Sequence, residues 1–184
     1  HAGSHVNQID TPGYPDFVGE LRAGLRAADA ALFVVSAADG VDAATMLLWE
    51  ECAAIGMPRA VAVTKLDAAR ADFEDTVAIC RRVFGEGVMA LYMPLHGDDE
   101  AVIGNLALLS QQIYDYTSGQ RVTRAAEDRH RELIEGNRSD LIEAIIQESE
   151  DDSLLDRYLG GEQVEQLSGA DAAPAAGGHH PRRG

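Results

Sequence analysis

Residues 31–36 read Ala-Leu-Phe-Val-Val-Ser, and residues 59–67 read Arg-Ala-Val-Ala-Val-Thr-Lys-Leu-Asp. Ala31–Val35 is a continuous apolar run, and Arg59–Val63 is a second short run rich in valine and alanine. Runs of this length without polar alternation predict parallel strands buried on both faces. Between them, residues 42–56 carry Leu48, Cys52 and Ile55 in helical phase, and Gly56 and Pro58 stop the helix. Strand, crossover helix and strand make one unit of a parallel sheet.

The same alternation extends outward. Downstream, residues 70–84 place Phe73, Val77, Cys80 and Phe84 on one helical stripe, and Val88–Met93 predicts a further strand. Upstream, Asp16–Asp29 predicts a helix capped by Asp16, with Phe17, Leu21, Leu25 and Ala28 in phase. Val6–Ile9 predicts a short strand that runs into Asp10-Thr11-Pro12-Gly13. The first half therefore reads as a doubly wound α/β sheet with right-handed crossovers. Ligands of such sheets bind beyond the carboxyl ends of the strands. Both polar motifs, DTPG and TKLD, fall at those ends.

The pattern changes after Met93. Residues 101–116 fit either a helix or two short strands, and Gly104 with the Tyr114/Tyr116 alternation favours strands. Residues 127–149 predict a charged amphipathic helix carrying Leu133, Leu141, Ile142, Ile145 and Ile146. A short helix over 151–159 is expected to end at Gly160-Gly161. The last residues, rich in Ala, Gly and Pro, bury too little surface to offset their ordering entropy and are expected to be disordered.

Composition narrows the function classes. The 184 residues carry a formal net charge of −16, which disfavours direct binding of DNA or RNA phosphates by this chain. The two cysteines, Cys52 and Cys80, show no metal-ligand or CxxC spacing and read as buried thiols of a reducing compartment. The six histidines show no ligand spacing either. No apolar run approaches a membrane span and no signal peptide is visible, so a cytoplasmic location is expected.

The two motifs suit a phosphorylated purine. Guanine presents two adjacent donors, its N1–H and 2-amino group, and one carboxylate such as Asp67 accepts both in a charge-assisted pair. Adenine offers no such pair. The aliphatic stem of Lys65 can cover one face of the base, and Thr64 can tie the loop to its neighbours. In DTPG, Asp10 is suited to hold a metal-bound water, and the Gly13 N–H can approach a terminal phosphate because no Cβ obstructs it. Taken singly, TKLD is also an ordinary solvated loop and DTPG an ordinary Pro-Gly turn.

Together with NQIDTPGYPDFVGELRAGLRAADAALFVV, the TKLD motif resembles the GTP-binding domain of translational GTPases, closest to elongation factor G. LIEGNRSDLIEAIIQESEDDSLLDRYLGGEQV is similar to the subdomain that elongation factor G carries inserted in that domain. The resemblance covers roughly residues 6–165 and implies a partial P-loop-NTPase-type doubly wound parallel sheet with an α+β inserted subdomain. The implied division is 1–93 for the GTP-binding core, 94–165 for the insertion and 166–184 for the tail. The implied ligands are GTP or GDP with Mg²⁺, and the implied partner of the complete protein is the ribosome. Asp10 and Gly13 then match the DxxG box, with Asp10 reaching Mg²⁺ through water, and Thr64, Lys65 and Asp67 match the NKxD box. Thr64 replaces the usual Asn and loses a bracing amide, which predicts somewhat weaker nucleotide affinity.

Three departures from the family pattern matter. No GxxxxGK[ST] occurs in residues 1–184, so the chain by itself is expected not to hydrolyse GTP. Tyr14 stands where the family usually has a His that orients the attacking water, and a phenol with a pKa of about 10 cannot replace an imidazole. The family's final guanine-contacting loop has no counterpart after the insertion. A second reading is therefore a non-enzymatic ribosome- or protein-interaction module with a defunct nucleotide site.

Overall fold

The computed structural model describes residues 5–11 and 18–148 of the chain. Its elements are α1 (Val18–Ala27), β1 (Ala31–Ser36), α2 (Ala43–Ala54), β2 (Arg59–Thr64) and α3 (Phe73–Phe84), then β3 (Tyr92–His96), β4 (Val102–Ala107), β5 (Gln112–Asp115), β6 (Val122–Ala125) and α4 (Asp128–Glu148). Gly13, Tyr14, the cap expected at Asp16, the helix expected at 151–159 and the tail expected from 166 lie outside the described residues.

β1 and β2 pair in parallel in unbroken register, from Ala31↔Arg59 to Ser36↔Thr64. The crossover between them is α2. Asp42 caps it, its carboxylate accepting from the Thr45 amide at 2.7 Å. Gly56, at φ +66°, ends the turn that follows α2. The third helix begins at Phe73 rather than near residue 70, because Asp72 takes the cap position and accepts from the Asp75 amide at 2.9 Å.

Both helices cover one face of the parallel pair. Phe33 meets the edge of Trp49 at 5.1 Å, and Trp49 stacks on Phe84 at 4.2 Å. The indole N–H donates to the Phe84 carbonyl at 3.1 Å, which satisfies its one donor. On the other face the expectation of full burial fails: Leu32 and Val34 are 65% and 63% exposed. Among the described residues nothing packs across them, so a run that reads as two-sided is buried on one side.

Two strand expectations are corrected. Val6–Ile9 forms no ladder among the described residues, and Val6 is 80% exposed. A strand exists only through a hydrogen-bonded neighbour, and this segment has none among them. The strand expected at Val88–Met93 lies at Tyr92–His96 and does not extend the parallel pair. It pairs antiparallel with β4 and opens a four-stranded sheet of order β3-β4-β5-β6. Its polar ends, Tyr92 and His96, flank buried Met93 and Leu95, so the alternation that selects this register begins only at Tyr92. The strand reading of 101–116 is the observed one, as β4 and β5.

The inner face of this sheet meets α4. Met93, Leu95, Leu106, Leu108 and Ile113 form one cluster with Ile134 and Leu141 of the helix. The sequence pattern puts Leu133 on the apolar face, but Leu133 is 40% exposed and Ile134 is buried. Ile134 lies seven residues before Leu141, two turns along one face, whereas its neighbour is rotated by about 100°. Phe73 and Met89 pack against the same cluster, so the parallel and antiparallel parts share apolar contact.

Cys52 and Cys80 are buried, and burial pushes both thiols above the ordinary range. Both are therefore expected to resist an aromatic disulfide reagent in the native chain and to react fully in urea. Rapid labelling of the native chain would contradict the packing of α2 and α3 described above.

Candidate nucleotide-binding edge

Because β1 and β2 are parallel neighbours in register, their carboxyl ends lie side by side. The ladder carries one step further, with the Ala37 amide donating to the Thr64 carbonyl at 2.9 Å. Thr64 also donates its hydroxyl to the Val35 carbonyl at 3.3 Å, so the residue at the usual Asn position ties β2 to β1. The turn Lys65-Leu66-Asp67 follows at once, closed by the Ala68 amide on the Lys65 carbonyl at 3.1 Å.

Lys65 holds a left-handed backbone, φ +56°. Residues other than glycine rarely hold that conformation unless their surroundings over-determine it. Its ammonium lies 2.8 Å from Asp39 Oδ2, across the sheet edge in the loop after β1. Ser36 donates its hydroxyl to the same oxygen at 2.7 Å. The Lys65 ammonium, then the Ser36 hydroxyl, hold the Asp39 carboxyl below the usual carboxylate range. Both charged groups are more than half exposed, so the pair contributes little to stability.

Asp67 is exposed, and among the described residues its carboxylate accepts no hydrogen bond. The structure thus brings Thr64, Lys65 and Asp67 to one turn, with Asp39 and Ser36 beside them. Asp10 is exposed on a separate stretch, residues 5–11. That stretch lies against α1, with the Thr11 methyl 3.2 Å from where a Cβ on Gly24 would stand. Asp10 makes no hydrogen bond to the Lys65 turn among the described residues.

Sequence reasoning missed Asp39 and Ser36. The signal was present: Ser36-Ala37-Ala38-Asp39-Gly40 ends the strand adjacent to TKLD, on the same sheet edge. A cleft of about 1010 Å³ opens elsewhere, between β2, α3 and β3. Among the described residues its walls, which include Trp49, Phe73, Cys80 and Met93, carry Arg59 as their one charged side chain and none of Asp10, Lys65 or Asp67. It lacks the convergent polar groups that orient a phosphorylated ligand, and the candidate site is placed at the sheet edge instead.

Residues 1–167 match the family described as the elongation factor Tu GTP binding domain. Elongation factor G-like proteins of two strains of Mycobacterium tuberculosis are each 50% identical over 182 residues, 97% of this chain. The chain spans 25% of the length of those relatives. A crystal structure of a Thermus thermophilus protein superposes with a TM-score of 0.72 at 36% identity, over 84% of this chain and 23% of that one. With the family match spanning both the parallel pair and the antiparallel sheet, the chain belongs to the elongation factor Tu-type GTP-binding domain family.

Proposed function

We propose that the carboxyl edge of the parallel pair recognises the guanine base of GTP or GDP, as part of an elongation factor G-like protein that acts on the ribosome. The carrying observation is the parallel register, which brings Asp39 against the Lys65 ammonium at the sheet edge, with an exposed Asp67 in the same turn. Asp67 accepts from N1–H and the 2-amino group, Lys65 covers one face of the base, and Thr64 braces the turn. Asp10 and Gly13 serve the phosphate end in this reading, and Tyr14 takes the position of the water-orienting residue. Asp10 is a single carboxylate that would reach Mg²⁺ through a bound water, so the ion would draw its oxygen ligands from phosphates and water. Mg²⁺ in that place would offset phosphate charge.

We read residues 1–93 as the nucleotide-binding part and 94–165 as the insertion, a division that falls within β3. Residues 1–184 contain no GxxxxGK[ST], and phosphoryl transfer depends on the backbone amides and lysine of that loop, so this chain alone does not hydrolyse GTP. No helix among the described residues is long and apolar enough to cross a membrane. The cytoplasm is the proposed location, as for a factor working on ribosomes.

The test is a titration of this chain with fluorescent GDP, competed by GTP and by ATP. Displacement by GTP and not by ATP is expected. Equal displacement by both would exclude base reading by Asp67. Absence of any binding would favour the interaction-module reading, with activity confined to protein contacts.

A further inference from the structure

Lysine is a compact charge on a flexible four-carbon stem, and nothing in the backbone of an exposed turn dictates where its ammonium goes. Two carboxylates compete for Lys65: Asp67, two residues along the same turn, and Asp39, across the sheet edge. The structure shows the ammonium on Asp39, at 2.8 Å.

Asp39 is itself fixed before any ligand arrives. Its Oδ2 receives the Ser36 hydroxyl, and Ser36 Oγ accepts the Asp39 and Ala38 amides at 3.2 and 3.3 Å. The loop closes with the Gly40 amide on the Ser36 carbonyl at 2.8 Å, and Gly40 takes the φ of +78° that closure requires. Asp39 is thus a preset anion on the strand next to the recognition turn.

We propose that Asp39 is a positioning residue for guanine recognition, holding the Lys65 ammonium away from Asp67 and stretching its methylene stem along the sheet edge. The inference rests on the guanine reading above, and Asp39 itself touches no part of the base. It acts in two ways. The stem becomes a flat apolar rest for one face of the base. The Asp67 carboxylate also keeps both oxygens for the two guanine donors, which a Lys65–Asp67 pair would occupy.

The experiment uses this chain, with Asp39→Asn and the conservative variant Asp39→Glu. Asparagine removes the anion that holds the Lys65 ammonium, and glutamate keeps it. Affinity is read by fluorescent GDP titration, and the state of Lys65 by NMR of its ε-methylene protons. Asp39→Asn is expected to weaken GDP binding roughly fivefold, the upper end of what an exposed ion pair supports, and Asp39→Glu to stay within about twofold of the parent. The Lys65 ε-methylene protons are expected to be inequivalent in the parent and averaged in Asp39→Asn.

Unchanged affinity in Asp39→Asn, or an equal loss in Asp39→Glu, would overturn the proposal. So would averaged ε-methylene protons in the parent itself. Should the parent show no guanine-selective binding, the base-reading assignment fails on its own, and the NMR comparison still decides whether Asp39 anchors Lys65.

Discussion

Replacing Asp67 by asparagine is expected to weaken guanine-nucleotide binding by about a hundredfold and to admit xanthine nucleotides instead. A carboxylate offers two acceptors, and guanine offers N1–H and a 2-amino group, two donors side by side. The asparagine amide keeps one acceptor but turns an NH₂ towards the 2-amino group, so one hydrogen bond is lost and two donors face each other. Xanthine carries a carbonyl at that carbon and retains N1–H, which matches an amide. Asp67 is exposed and accepts no hydrogen bond among the described residues, so the exchange should leave the fold untouched. Competition of fluorescent GDP by GDP and by xanthosine diphosphate measures the effect, with a melting curve as control. GDP affinity equal to that of the parent would remove Asp67 from the site.

The largest structural effect is expected at Gly104. It lies inside β4, paired with Leu95 on one side and Asp115 on the other. A Cβ there would stand 2.1 Å from the Tyr114 carbonyl oxygen and 3.1 Å from the Asp115 Cα. Both obstacles are backbone, so no rotamer change relieves them, and β5 must move away from β4. Gly104→Ala is therefore expected to destabilise the chain by about 3 kcal/mol, at the upper end of overpacking costs. It should also speed amide exchange in β5 beneath the Leu106–Ile113 layer. Gly119→Ala is the contrast. Gly119 has φ +78° with nothing within 4 Å, so only backbone strain is added, about 1 kcal/mol. Urea unfolding of both variants measures the difference. A cost for Gly104→Ala no larger than that for Gly119→Ala would show that β4 and β5 do not approach so closely.

Much of the α/β class was legible because its signals are local. The apolar runs at Ala31–Val35 and Arg59–Val63, the stop at Gly56 and Pro58 and the helical stripe from Phe73 to Phe84 each depend on residues a few positions apart. The observed elements follow them within a few residues. Where expectation and structure differ, the deciding information was not local. Val88–Met93 and Tyr92–His96 are both plausible strands, and cross-strand pairing with Ala107, Leu106 and Asn105 selects the second. Leu133 and Ile134 are equally apolar, and the position of the sheet beneath α4 decides which is buried.

Short-range patterning and motif chemistry were enough for the strand-helix-strand unit, the family resemblance and the candidacy of Thr64, Lys65 and Asp67. They were not enough for three other facts: Val6–Ile9 pairs with no strand among the described residues, Leu32 and Val34 are exposed, and Asp39 holds Lys65. Each of these depends on which segments lie beside one another in space. In the last case parallel pairing brings together two loops 26 residues apart in the chain, a separation over which no local pattern carries information.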